Sequence, residues 1–372
     1  MYKIINFKYM KIQHFILYVY LISSLNFYVF CQNFGNENIE TYLPELLNKN
    51  IGLVVNQSSR VNNAHIIDTL LYLNIKINKI FSPEHGFSGT YNAGEHVPNM
   101  LYNNIQIISL YGTKKKPDPL ELHNLDVVVF DIQDVGVRFY TYISTLHYVM
   151  EACAEQKIKL IVLDRPNPHA HYVDGPIVSS DQYSFVGMHP VPIVYGMTIG
   201  EYASMINGEG WLKDGLQCEL VVVKMKNYSR SNVVSIDFPP SPNLRSMNSI
   251  YLYPSLCLFE GTLVSIGRGT NTPFELYGAP FFNTDFAFTP SANFGSKNPK
   301  YQGEVCYGFN LTKKNPQIKS QINLNYLIQA YAQTPRHLKP DFFNAFFDKL
   351  VGNKKLKKQI INNVTEDDIR LN

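Results

Sequence analysis

A series of short, unbroken apolar runs, each ending in a polar cluster, constrains the fold most. The clearest is LDVVVFDIQD at residues 125–134. A strand with one wet face alternates apolar and polar residues. This one does not alternate, so both of its faces must be covered, as in a parallel sheet with helices on either side. Comparable runs occupy residues 51–59, 75–81, 105–112, 158–168 and 218–225. Between them, residues 64–73, 141–156 and 198–207 carry apolar positions at helical spacing. The last of these opens on Thr198 with Glu201 three residues on, a capping box. Strands alternating with helices predict an α/β chain built on a Rossmann-like, doubly wound parallel sheet.

In such sheets ligands collect beyond the carboxyl ends of the strands, and here the polar clusters fall at strand exits. FSPEHGFSG (residues 81–89) puts Glu84 and His85 at the mouth of the second strand, between Pro83 and Gly86. Asp131, Gln133 and Asp134 follow the fourth run, and Asp164, Arg165 and Asn167 follow the fifth. From about residue 237 the texture changes. A proline-rich DFPPSPNLRS leads into the glycine-rich CLFEGTLVSIGRGTNTPFELYGAP, which carries Glu260, Arg268 and Glu275. Residues 32–240 are therefore expected to form the α/β domain and 241–372 a smaller α+β auxiliary domain.

The first 31 residues are a separate object. Lys3, Lys8 and Lys11 precede an apolar run over residues 15–30, the layout of a signal peptide. Cleavage after Cys31 is expected. Lipid attachment at Cys31 ranks second, because Phe30 is bulky for such a site, and an uncleaved anchor ranks third. Each places the mature chain outside the cytoplasm, secreted or periplasmic, and the first leaves it without a membrane span. The net charge of +3 over 372 residues gives no electrostatic support for nucleic-acid binding. The remaining cysteines, 153, 218, 257 and 306, form no CxxC pair and are expected to be buried free thiols.

Several chemistries lack their motifs. No GxGxxG opens a helix after the first strand, and there is no Walker loop, GxSxG or HExxH. No cofactor and no metal is expected. What remains is a set of acids (Glu84, Glu95, Asp131, Asp134, Asp164, Glu260 and Glu275) interleaved with Arg138, Arg165 and Arg268. Carboxylates bind sugar hydroxyls and transfer protons, and arginines clamp carboxylates in bidentate fashion. Such a cleft suits a polar, anionic, hydroxyl-rich ligand. For any single acid–arginine pair, a structural ion pair is an equal reading. Tyr140 and Tyr142 flank a helix start, where one of them could face ligand.

Taken in order, FSPEHGFSG, SLYG, DVVVFDIQDVGVRFYTYISTL, VLDRPNP, YGMTIGEYA, SPN and FEGTLVSIGRGTNTPFELYGAP resemble the NamZ-type (YbbC-like) exo-β-N-acetylmuramidases, glycoside hydrolases. The resemblance covers residues 52–280 strongly. It implies release of N-acetylmuramic acid from the non-reducing end of peptidoglycan fragments such as MurNAc–GlcNAc, in a cleft between a Rossmann-like and an auxiliary domain. The glutamate of PEHG, Glu84, is then the catalytic acid. His85, Asp131, Gln133, Asp134, Arg138, Asn167, Glu260, Arg268 and Glu275 fall on the other motif positions, and Glu95 and Tyr140 join the substrate-binding set. The second catalytic group is open among Glu275, Glu260 and Asp131. It could also be the sugar's own acetamido group, oriented by an aspartate such as Asp134. The lactyl carboxylate calls for a cation, Arg268 or Arg138. The same cleft would also serve a non-catalytic muropeptide-binding protein. Two departures stand out: Tyr195 replaces a histidine usual before GMTIGE, and a last helix with an aromatic tail, expected after EDDIRLN, is missing.

Overall fold

The computed structural model describes residues 33–91, 100–232, 234–313 and 320–371. The leader-like segment lies outside them, as do Glu95 and His96. A seven-stranded sheet forms the centre: β1 (Ile51–Val55), β2 (Ile77–Ser82), β3 (Met100–Tyr102), β4 (Ile105–Ser109), β5 (Val127–Asp131), β6 (Lys159–Leu163) and β7 (Leu220–Val223). Its order is β3-β4-β2-β1-β5-β6-β7. All pairings are parallel except β3 with β4, an antiparallel edge hairpin turned by Asn103 and Asn104, both at positive φ. The strand order reverses between β1 and β5, which sets a crevice at their carboxyl ends.

Alternate residues of each strand enter separate cores. Leu53, Ile80, Val129 and Ile161 pack with Tyr42 and Leu46 of α1 (Ile39–Leu46) and Ile66 and Leu70 of α2 (Ile66–Tyr72). Val54, Phe81, Val128, Phe130 and Val162 pack with Leu146 and Met150 of α3 (Tyr142–Gln156) and Tyr202 and Ile206 of α4 (Ile199–Gly208). This double coverage is why β1 and β5 are buried along their whole length. Thr198 caps α4 through the predicted box, and its hydroxyl also donates to Asp164.

The second core continues into the C-terminal part. There α5 (Met247–Leu256) leads to an antiparallel sheet of β8 (Leu276–Ala279), β9 (Phe286–Phe288) and β10 (Cys306–Asn310), in the order β8-β10-β9. Helices α6 (Asn325–Gln333), α7 (Ala345–Val351), α8 (Lys355–Ile361) and α9 (Glu366–Leu371) follow. A strap over residues 237–243 joins the two parts across the strand ends. The Pro240 carbonyl accepts from Gln57 Nε2 (3.1 Å), Tyr140 OH (2.8 Å) and Tyr142 OH (3.1 Å). Cys153, Cys218, Cys257 and Cys306 are free and buried. No helix among the described residues is long and apolar enough to cross a membrane.

Candidate active site

At the exit of β2 the chain makes a tight turn in which His85 and Gly86 both take left-handed φ, +70° and +73°. A histidine pays a steric penalty there, and consecutive left-handed residues reverse the chain abruptly. The turn holds Glu84 nearly buried, at 9% exposure. Its Oε2 accepts the Thr141 hydroxyl at 2.6 Å. Thr141 is the N-cap of α3, yet its side chain makes no cap bond, because the hydroxyl is given to Glu84 instead. A threonine here would normally satisfy a helix N–H. Its diversion fixes one carboxyl oxygen and leaves Oε1 for other partners.

Glu84 and His85 line a cavity of about 310 Å³ at the seam between the two parts. Tyr111, Phe139, Tyr140, Thr141 and Phe185 complete the wall on the α/β side. Facing them are Tyr253, Glu260, Arg268, Phe274, Phe346 and Leu350. Gly261 brings this second wall in, since a Cβ there would lie 2.4 Å from the Phe347 Cα, so α7 rests directly on the turn after Glu260. Arg268 donates from Nε (2.9 Å) and Nη2 (2.5 Å) to Glu260 Oε1 and lies over the Phe274 ring at 5.1 Å. Burial opposes its charge, but Glu260 outweighs burial and raises the guanidinium above its usual range. Nη1 takes no acceptor among the described residues. His85 Nδ1 lies 2.7 Å from the Tyr91 carbonyl, which can only accept. Nδ1 therefore carries the hydrogen and Nε2 keeps its lone pair. Burial lowers the His85 pKa, with Glu84 acting in the opposite sense.

The other acids and cations named from the sequence stand elsewhere. Asp131 is fully buried in a two-point ion pair with Arg165 (2.6 and 2.9 Å) and also accepts from Asn36. Asp164 accepts from the Gly200 and Arg165 amides and from Thr198, anchoring the start of α4, and burial pushes its pKa up to about 6. Asp134 accepts from Tyr195 OH and the Gly136 amide, and burial pushes its pKa up to about 7. Glu275 takes Ser246 Oγ (2.5 Å) and Asn248 Nδ2 (2.6 Å) at the start of α5. Gln133 donates to the Asp134 and Pro166 carbonyls. Asn167 donates to the Met197 carbonyl and packs over Gly136. Arg138 is completely buried, with its guanidinium spent on four backbone carbonyls. Of the residues singled out, the cavity thus gathers Glu84, His85, Tyr140, Glu260 and Arg268 and none of these others. Asp131 is saturated by internal partners, and Arg138 spends both terminal nitrogens on backbone carbonyls while its Nε is buried without a partner, so both read as framework groups. Thr141, Tyr111, Phe185, Phe274 and Phe346 also line the cavity and are not marked as site residues by the sequence. Thr141 left a trace in its place just ahead of a helix, whereas the aromatics were lost in a diffuse excess.

A larger hollow, about 450 Å³, lies between residues 174–176 and the C-terminal helices. It is mostly apolar, and its Arg370 is paired with Asp174 (3.1 Å) and Glu366 (3.0 Å), so the carboxyl–imidazole chemistry belongs to the smaller cavity.

Residues 51–248 match the family model for "Exo-beta-N-acetylmuramidase NamZ, N-terminal", and residues 251–372 match its C-terminal counterpart. The chain is 38% identical over 368 residues to the peptidoglycan beta-N-acetylmuramidase NamZ of Bacillus subtilis, covering 89% of this chain and 85% of that protein. Two crystal structures of DUF1343 family proteins from Bacteroides fragilis superpose on it. One has a TM-score of 0.84 at 42% identity and covers 91% of this chain and 93% of that one. The other has a TM-score of 0.78 at 28% identity and covers 91% and 94%.

Proposed function

The chain belongs to the NamZ exo-β-N-acetylmuramidase family, and from that premise we infer that it is a glycoside hydrolase that removes N-acetylmuramic acid from peptidoglycan. The observation that carries the mechanism is the cavity in which Glu84 and His85 face the Glu260–Arg268 pair. We propose MurNAc-terminated fragments such as MurNAc–GlcNAc as substrates and assign the roles as follows.

Glycoside hydrolysis needs a proton on the leaving oxygen and a group that deals with the oxocarbenium-like centre or the attacking water. Thr141 donates to Glu84 Oε2, so the proton of the neutral acid sits on Oε1, and Glu84 is the general acid. His85, neutral and with Nε2 unprotonated, can take a proton from water. Glu260 is the other carboxylate among the described residues that line the cavity, and it holds Arg268 flat so that Nη1 meets the lactyl carboxylate of the sugar. Phe274 and Phe346 supply apolar faces for the pyranose ring. The basic-then-apolar leader supports action outside the cytoplasm.

The test is product analysis. Purified chain incubated with β-linked MurNAc–GlcNAc should yield free MurNAc and GlcNAc in equal amounts. An intact disaccharide after prolonged incubation with folded protein would favour a binding role for the same cleft.

A further inference from the structure

On the other side of the 237–243 strap, a separate hollow of about 280 Å³ opens over the carboxyl ends of β1, β5 and β6, where Ser58, Gln133 and Arg165 emerge. It shares no lining residue with the catalytic cavity. It lies at the β1/β5 reversal, the place where open parallel sheets take ligands, yet nothing in the proposed hydrolysis uses it.

Two guanidinium groups reach this hollow. Arg165 spends Nε and Nη2 on Asp131 and is neutralised by it, and its Nη1 takes no acceptor among the described residues. Arg60 lies over the Phe238 ring, 4.4 Å from the centroid, and gives Nη1 to the Asn63 carbonyl at 3.0 Å. Arg60 Nε is buried without any hydrogen-bond partner, and no carboxylate pairs with this guanidinium among the described residues. A guanidinium that lines a hollow with no carboxylate to neutralise it favours an anionic ligand there. The Phe34 and Phe238 rings on the wall suit an organic portion of the ligand. Two acids bound the charge it can carry. Glu37 Oε2 accepts from the Phe34 amide, and Asp237 is exposed on the rim, so a multiply charged anion would be repelled while a single charge matches Arg60.

We propose that this hollow is a second binding site, for a small organic monoanion whose carboxylate or phosphodiester is held between the Arg60 guanidinium and Arg165 Nη1. The site acts independently of Glu84, so the hydrolase reading and this one fail separately.

The experiment is isothermal titration of the full chain at low ionic strength with propionate and with dimethyl phosphate, both singly charged at neutral pH, which separates carboxylate from phosphodiester ligands. Saturable one-site binding of at least one probe is expected. It should weaken about tenfold or more in Arg60→Gln, the loss expected for charge-assisted hydrogen bonds, and should survive in Arg268→Gln. Phe238→Leu, which removes the platform and leaves the guanidinium, should also weaken binding, and it decides the matter if Arg60→Gln does not fold. No saturable heat from either probe would overturn the proposal. So would affinity unchanged in these variants, or loss of binding in Arg268→Gln, which would place the anion in the catalytic cavity.

Discussion

Replacing Arg138 by leucine should unfold the protein more easily without altering how surviving molecules bind substrate. Arg138 donates to the Pro176 and Val191 carbonyls at 2.8 and 2.7 Å and to Leu350 and Val351 at 3.0 and 2.8 Å. The last two carbonyls close the C-terminal end of α7, whose dipole supplies the partial negative charge that a carboxylate would otherwise provide. The side chain therefore ties the auxiliary part to the α/β part. Burial lowers its pKa to about 10, so it remains protonated at neutral pH. Each bond from a charged donor contributes about 1.5–3 kcal/mol net. Four of these overstate the loss, because removing the guanidinium also removes its desolvation penalty of several kcal/mol. The balance is about 3 kcal/mol, a large share of a total stability of about 5–15 kcal/mol. At about 2.1 cal/mol/K of unfolding entropy per residue, a chain of this length shifts by roughly 1.4 °C per kcal/mol, so the melting temperature should fall by about 4 °C. Scanning calorimetry beside KM for a chromogenic MurNAc glycoside checks this. A fall under about 2 °C accompanied by a raised KM would put Arg138 in contact with substrate and refute the framework role.

Thr141→Val removes the hydroxyl that holds Glu84 Oε2 and should lower kcat/KM about 10- to 100-fold, with Thr141→Ser restoring most of it; steady-state kinetics on the same glycoside report it. Asp134→Asn tests the buried carboxyl whose folded pKa is about 7. The native state keeps a proton that the unfolded chain releases, so this group's stabilising contribution is fully present below about pH 4 and is lost as pH rises through 7. The stability of Asp134→Asn relative to the parent should therefore improve by up to about 4 kcal/mol between pH 4 and 8, read from denaturant midpoints; a pH-independent difference would contradict it. Arg268→Gln should raise KM for a MurNAc glycoside about tenfold or more while leaving that for the corresponding GlcNAc glycoside, which lacks the lactyl carboxylate, nearly unchanged.

The strand runs were readable because a strand buried on both faces needs unbroken apolar residues, as Val127–Asp131 and Ile51–Val55 do. The hairpin strand Met100–Tyr102 was not, being three residues long with Leu101 largely exposed. Strand exits told where chemistry would gather, and PEHG told which turn would hold an acid. They could not tell which carboxylates would be free. Asp131 finds Arg165 thirty-four residues later, and Glu275 finds Ser246 and Asn248 nearly thirty residues earlier. Such pairings depend on side-chain direction after the chain has folded, which spacing does not encode. Thr141 shows the same limit: its position ahead of α3 reads as a cap, but its hydroxyl turns to a residue fifty-seven positions away.

The most direct measurement is the turnover of the chromogenic MurNAc glycoside by Glu84→Gln, alongside its melting curve. With Oε1 unable to carry an acidic proton, release of the chromophore should fall by at least about a hundredfold while the melting temperature stays close to that of the parent. Full activity in the folded variant would remove Glu84 from the reaction.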